Sequence, residues 1–159
     1  FVSTYRIERH DLLDIVMTIG GHLAAANPKV IILEVADGLL QRETSRLFQL
    51  PEFMNWVDGV IFAANDALGA QAGVAWLASR QLPVIVITGV LTSSPLASRE
   101  AASATGLPVF NTTSLARPAV ASLIHDCLKN RRRERVKCSR ERTCAEEGLL
   151  PNDSGQAER

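Results

Sequence analysis

The stretch VIILEVADG, residues 30–38, decides the fold class that this sequence predicts. Five of its first six residues are apolar, and four of these five are β-branched. A short, nearly continuous apolar run of this kind is typical of a strand that is buried on both faces of a sheet. The run ends in Ala36-Asp37-Gly38, which predicts a turn. We therefore expect residues 30–35 to form a buried strand.

Apolar patterning on either side of this stretch predicts an alternation of strands and helices. Further strands are predicted at residues 57–63, 84–88 and 108–110. Helices are predicted near residues 11–26, 41–48, 67–79, 95–105 and 116–128. This alternation indicates an α/β fold with a mostly parallel sheet of about four strands and helices on both faces, a three-layer, Rossmann-like or P-loop-like arrangement.

Capping residues mark several of the predicted helix boundaries. Asp11 and Asp66 precede apolar periodic segments and suit the N-cap position. Ser94 followed by Pro95 predicts a helix start, because proline suits the first helical position. Gly106 predicts the end of the same helix, since glycine tolerates the backbone conformation that often follows a last turn.

Length and charge divide the chain into two parts. The 159 residues suit one domain with a single core. Residues 1–128 hold 8 basic and 11 acidic residues, a net charge of −3, whereas residues 129–159 hold 9 and 6, a net of +3. We expect residues 1–128 to form the α/β domain. Residues 129–159 are predicted to be a basic and polar disordered tail.

Cysteine usage and the chain start bear on location. Cys127, Cys138 and Cys144 are odd in number and show no C-x-x-C spacing, so a reducing cytoplasm is the expected compartment. No apolar run reaches the roughly 18 residues that a membrane helix needs. The start lacks the layout of a signal peptide and an initiator methionine, and we expect a truncated or excised piece of a longer chain.

The ends of the predicted strands carry the candidate site residues, because ligands bind at the carboxyl ends of parallel strands. Glu34 and Asp37 end the first strand and are the candidate catalytic and Mg²⁺-binding pair, since carboxylates in this position hold magnesium in many nucleotide-hydrolysing proteins. In the alternative interpretation, Glu34 pairs with a helix residue and Asp37 caps the next helix.

A second group of candidates would bind an anion or an anionic substrate. Arg42 could reach such a ligand over the sheet, although a solvated first helical turn is the favoured interpretation of this residue. Thr92, Ser93 and Ser94 form a hydroxyl-rich loop at a helix start, where backbone N–H groups favour anions. Plain capping explains Ser94 but does not explain its two neighbours.

The remaining sequence features do not indicate a specific catalytic or binding site. The three histidines, at positions 10, 22 and 125, lack metal-ligand spacing. The basic run at residues 131–133 has no interleaved aromatics and predicts no specific nucleic-acid binding. The sequence contains neither G-x-x-x-x-G-K-[ST] nor G-x-G-x-x-G, so no phosphate loop is present.

Five segments, in order, resemble the rear half of a P-loop NTPase of the dethiobiotin-synthetase-like group. They are residues 30–38, 60–63, 67–70, 84–89 and 105–109, with the last two covering VIVITG and TGLPV. The resemblance implies an ATP- and Mg²⁺-binding protein, in which residues 1–128 are the C-terminal part of a larger nucleotide-binding domain. A segment outside these motifs then supplies the phosphate loop. This chain alone should then not hydrolyse ATP.

The same resemblance implies roles for particular residues. Glu34 stands at the position of the family's metal-facing carboxylate. Thr88, Pro108, Val109 and Asn111 would line the nucleotide side, with Thr88 where the family tends to carry a base-reading asparagine.

Three functional hypotheses remain open. The chain is part of an ATP-dependent enzyme of the ligase, synthetase or NTPase kind, a self-contained non-catalytic α/β ligand-binding or regulatory module, or a small Rossmann-type enzyme that acts on a phosphorylated metabolite. The expected partners are a nucleotide and a small-molecule substrate, with no membrane. If a strand is missing, one sheet edge is unpaired, and the isolated chain should aggregate or form a homodimer.

Overall fold

The computed structural model describes residues 9–147, which form an α/β protein with a small parallel sheet. Two strands carry the sheet, β1 at Val60–Ala63 and β2 at Val84–Thr88. The helices are α1 at Arg9–Ala25, α2 at Arg42–Leu47, α3 at Pro51–Trp56, α4 at Ala67–Ala78, a 3₁₀ helix at Val90–Ser93, α5 at Pro95–Thr105, α6 at Thr112–Leu115 and α7 at Pro118–Glu147.

The two strands are parallel and are joined by α4, which is the β-α-β connection that parallel strands require. The amide of Val60 donates to the carbonyl of Pro83 at 2.8 Å, and the amide of Ala64 donates to Thr88 at 2.9 Å. Val109 adds a single parallel bridge to Ile87 on the other edge of β2. The described sheet therefore has the order β1, β2 and a one-residue extension.

The predicted four-stranded, three-layer sheet is wrong for the residues that the structure describes. Residues 30–35 have no regular secondary structure, and Ile32 is 87 % exposed. A run with this composition forms a buried strand only when it pairs with a neighbouring strand in a sheet whose two faces are covered, and no described strand pairs with it. Residues 57–63 shorten to β1, and residues 108–110 shorten to the bridge at Val109.

Three of the four predicted caps are confirmed. The exception is Asp11, which lies in the first turn of α1 and not at its N-cap, because the described helix already includes residues 9 and 10. Asp66 Oδ1 accepts a hydrogen bond from the Gly69 amide at 2.6 Å and begins α4. Ser94 Oγ accepts from the Ala97 amide at 3.2 Å and begins α5. Gly106 ends α5 with φ of 69°, a left-handed conformation that glycine adopts at little cost.

Other helix boundaries differ from the prediction. The helix predicted at residues 41–48 is followed by α3, which begins at Pro51, and a short α6 precedes the last helix. The end predicted near residue 128 is wrong, because α7 continues to Glu147. Residues 148–159 of the predicted tail lie outside the described residues. No described helix combines the length and the apolar character needed to cross a membrane.

The core lies around β2 and includes buried residues of α1, α2, α3, α4 and α5. Its largest fully buried side chains are Leu50, Leu77, Val86, Ile87 and Leu91. Phe48 joins α2 to α4 through an edge-on contact with Trp76, with ring centroids 6.0 Å apart. Helix α1 contacts α2 and α3, and the Trp56 ring lies so close to Gly20 that a Cβ there would clash.

Candidate ligand-binding edge

The carboxyl ends of β1, β2 and the Val109 bridge lie at one edge of the sheet. We call residues 64–66, 88–94 and 108–111 the carboxyl edge. The Leu91 amide donates to the Ala64 carbonyl at 3.2 Å, which joins the first loop to the second. The Phe110 amide donates to the Ile87 carbonyl at 3.0 Å, which aligns the third segment with the end of β2. Three segments that are distant in sequence therefore meet here.

Gly89 allows the first two loops to approach closely. Its φ is 103°, a conformation that residues with a Cβ rarely adopt. A Cβ built on Gly89 would also lie 2.5 Å from the Ala64 carbonyl oxygen and 2.6 Å from its nitrogen. Glycine is thus needed for both conformation and space, and it turns the chain from β2 into the 3₁₀ helix.

The residues predicted on the nucleotide side are brought together at this edge. The Pro108 carbonyl accepts from the Ile87 amide at 3.0 Å, and Val109 is the bridge partner of Ile87. These contacts set Pro108 and Val109 alongside the end of β2, where Thr88 is half-buried. Asn111 follows directly and is exposed.

Several polar side chains of the carboxyl edge already form hydrogen bonds to backbone groups of this chain. Thr92 Oγ1 donates to the Gly89 carbonyl at 2.8 Å, and Ser94 Oγ caps α5. Asn111 Oδ1 accepts from the Ser114 amide at 2.8 Å and begins α6. Ser93 is exposed, and its hydroxyl has no hydrogen-bond partner among the described residues. The interpretation of Ser94 as a cap is therefore confirmed, while an anion-binding role for Thr92, Ser93 and Ser94 stays a prediction.

The charge at this edge is small and negative. Asp66 is its one charged residue, and one of its carboxylate oxygens already caps α4. The carboxyl edge contains no lysine, arginine or histidine. A nucleotide triphosphate held there would need its charge neutralised by groups from elsewhere, such as a metal ion or a phosphate-loop lysine.

The candidate metal-binding pair lies on the irregular segment rather than on a strand. Glu34 and Asp37 are both exposed, so the expectation of a carboxylate inside a buried strand is wrong. Arg42 begins α2 and is exposed too. Within the described part of the chain, no three His, Cys, Asp or Glu side chains are grouped to hold a metal ion. The described contacts do not join Glu34, Asp37 or Arg42 to the carboxyl edge.

Glu43 was missed by the sequence interpretation. Its side chain is only 6 % exposed, and neither carboxylate oxygen has a hydrogen-bond partner among the described residues. A signal for its burial exists, because Glu43 precedes the buried Leu47 by four residues on the same helix and so shares its face. Neighbouring Thr44 is buried as well.

Comparison of this chain with protein-family models, with curated proteins and with solved structures finds no match. The structure by itself defines an α/β protein with a parallel β-α-β unit and a polar carboxyl edge.

Proposed function

We propose that this chain is the C-terminal portion of a nucleotide-binding protein of the P-loop NTPase kind, which binds ATP with Mg²⁺ and receives its phosphate loop from a segment outside this sequence. The observation that carries the proposal is the meeting of Thr88 with residues 108–111 at the carboxyl edge. In parallel α/β sheets this edge is where ligands bind. The order of motifs that resembles the dethiobiotin-synthetase-like group supports the nucleotide as the ligand.

Two further features support an incomplete nucleotide site. The outer edge of β1 is unpaired among the described residues, and the strand-like run at residues 30–35 lacks backbone pairing. A further parallel strand would satisfy β1 and add a loop to the carboxyl edge. That loop would also supply the positive charge that the carboxyl edge lacks.

Magnesium fits this arrangement only in a site whose ligands come from both the protein and the substrate phosphates. Mg²⁺ usually keeps several waters and is held by one or two carboxylates together with the substrate phosphates. Glu34 and Asp37 are two accessible carboxylates separated by two residues, which meets that requirement without a protein cage. When bound, the ion would screen the phosphate charge, and Glu34 and Asp37 would orient it directly or through water.

The coding sequence upstream of Phe1 tests the proposal first. We expect an apolar strand followed by a G-x-x-x-x-G-K-[ST] loop, and an upstream region that encodes no protein would overturn the proposal. In the longer protein, Glu34→Gln should lower ATP hydrolysis at least tenfold, because it removes the metal-facing charge. Glu52→Gln, an exposed change on α3, serves as the matched control and should leave the rate unchanged.

A self-contained, non-catalytic α/β ligand-binding module is the second candidate. Its support is that Thr92, Ser94 and Asn111 already bind backbone groups, so the edge offers no free nucleophile paired with a base. Calorimetric titration of this chain with Mg-ATP separates the two candidates. Measurable heat of binding favours the nucleotide site, and no binding by a chain that melts cooperatively favours the module.

A further inference from the structure

The second half of α7 concentrates positive charge on a continuous helix. Residues 129–142 contain six arginines, two lysines and two glutamates, which gives a formal charge of +6. The backbone of α7 is helical throughout this segment and ends at Glu147. At a rise of about 1.5 Å per residue, the fourteen residues extend over roughly 21 Å.

The described cations of this segment are exposed and not neutralised. Lys129, residues 131–133 and Lys137 are all exposed, as is Glu134. Glu134 lies three residues from both Arg131 and Lys137, a spacing that permits ion pairs on a helix. Neither spacing forms an ion pair between the described side chains of this segment. The positive charge of Lys129, residues 131–133 and Lys137 is therefore available to a partner.

The spacing of the cations suits a regular line of phosphates. Lys129, Arg133 and Lys137 recur every four residues and so lie on one face of the helix. Double-stranded DNA carries one negative charge per roughly 1.7 Å of its axis, and its major groove is about 12 Å wide, enough to admit an α-helix. Arginine predominates, and its planar guanidinium binds phosphate oxygens in pairs.

Composition separates duplex DNA from two other anionic partners. Insertion of a helix into a lipid surface uses an apolar face, but Val136 and Cys138 are the only apolar residues among positions 129–142. Binding to single strands relies on aromatic side chains that stack on bases, and this segment has none. Duplex RNA has a deep, narrow major groove that does not admit a helix in this way.

We propose that the described cations of α7, which are Lys129, residues 131–133 and Lys137, form a binding surface for the phosphate backbone of double-stranded DNA, without preference for base sequence. The surface does not depend on the carboxyl edge or on nucleotide binding there. Its contacts are electrostatic, so affinity falls steeply with rising salt concentration, because the release of counterions from the DNA then gains less free energy.

Fluorescence anisotropy of the full chain with a labelled 24-base-pair duplex, at salt concentrations between 50 and 200 mM, tests the proposal. With one phosphate contact for each of the five described cations, we expect affinity to fall by about 500-fold over this range. The double variant K129Q and R133Q should bind more than tenfold more weakly at 50 mM, and its salt slope should fall by about 1.8. The control R99Q with R117Q removes two exposed arginines elsewhere and should leave both quantities unchanged.

Several results would overturn the proposal. One is that the unmodified chain does not bind the duplex at 50 mM salt. Another is that the control variant loses as much affinity as the double variant. Tighter binding to vesicles of 30 mol % phosphatidylserine, to single-stranded DNA or to duplex RNA would assign the surface to that partner instead. Circular dichroism checks folding, and glutamine should preserve α7 because it is a good helix former.

Discussion

At the scale of single residues, Glu43 places a carboxylate without a described hydrogen-bond partner in a buried position. A charge removed from water without a partner loses several kcal/mol of hydration unless something compensates it. Neither of its oxygens accepts a hydrogen bond from a described residue, although the side chain is packed beside buried apolar neighbours. The position is thus better suited to an apolar side chain of similar length.

Glu43→Met should stabilise the chain by about 1–3 kcal/mol, because methionine has a similar shape and leaves no buried acceptor unpaired. The free energy of unfolding in urea measures the change. Glu52→Met, an exposed change on α3, is the control and should lie within about 0.5 kcal/mol of the unmodified chain. A loss of stability in Glu43→Met would mean that the carboxylate has a partner that these contacts do not include.

At the scale of secondary-structure elements, the sequence predicted what depends on near neighbours. Asp66 caps α4 and Ser94 caps α5, because in each case the acceptor and the amide it serves are three residues apart. The strand at residues 30–35 failed as a prediction for the opposite reason. Its stability would depend on distant strands, and composition alone does not supply them.

The same distinction between near and distant contacts applies to the candidate site. The grouping of Thr88 with residues 108–111 followed from the general rule that parallel strands align their carboxyl ends. The burial of Glu43 depends on how α2 packs against the rest of the molecule, which no local motif encodes. Helix α7 extends past its predicted end because its charged residues, although unsuited to a core, are good helix formers.

The two adjacent serines before α5 allow capping to be measured directly. Ser94→Ala should destabilise the chain by ~1 kcal/mol, because the Ala97 amide loses its acceptor at the helix start. Ser93→Ala removes a hydroxyl that has no described partner and should change the free energy of unfolding by less than about 0.5 kcal/mol. Equal effects of the two substitutions in urea denaturation would contradict the assignment of Ser94 as the cap.

At the scale of the whole molecule, two unsatisfied surfaces stand out. The amides of Val60 and Ala64 donate toward β2, so the alternation of a strand directs the N–H and C=O groups of Ile61 and Ala63 to the unpaired edge. Apolar side chains of α1 and of residues 30–33 are also exposed. An unpaired strand edge beside apolar surface favours pairing with another chain.

We therefore expect the isolated chain to associate as its concentration rises, and β1 to be the strand that pairs. Ile61 is 46 % exposed, so Ile61→Lys should be tolerated by the fold while its charge opposes strand addition. Light scattering over a concentration series should show growing particles for the unmodified chain and a smaller average mass for Ile61→Lys. Leu68→Lys adds the same charge to α4, where the native leucine is 75 % exposed, and should not reduce association. If the unmodified chain stays monomeric at every concentration, the open edge of β1 is protected within the chain. If both lysine variants reduce the average mass equally, association depends on net charge and not on the strand edge.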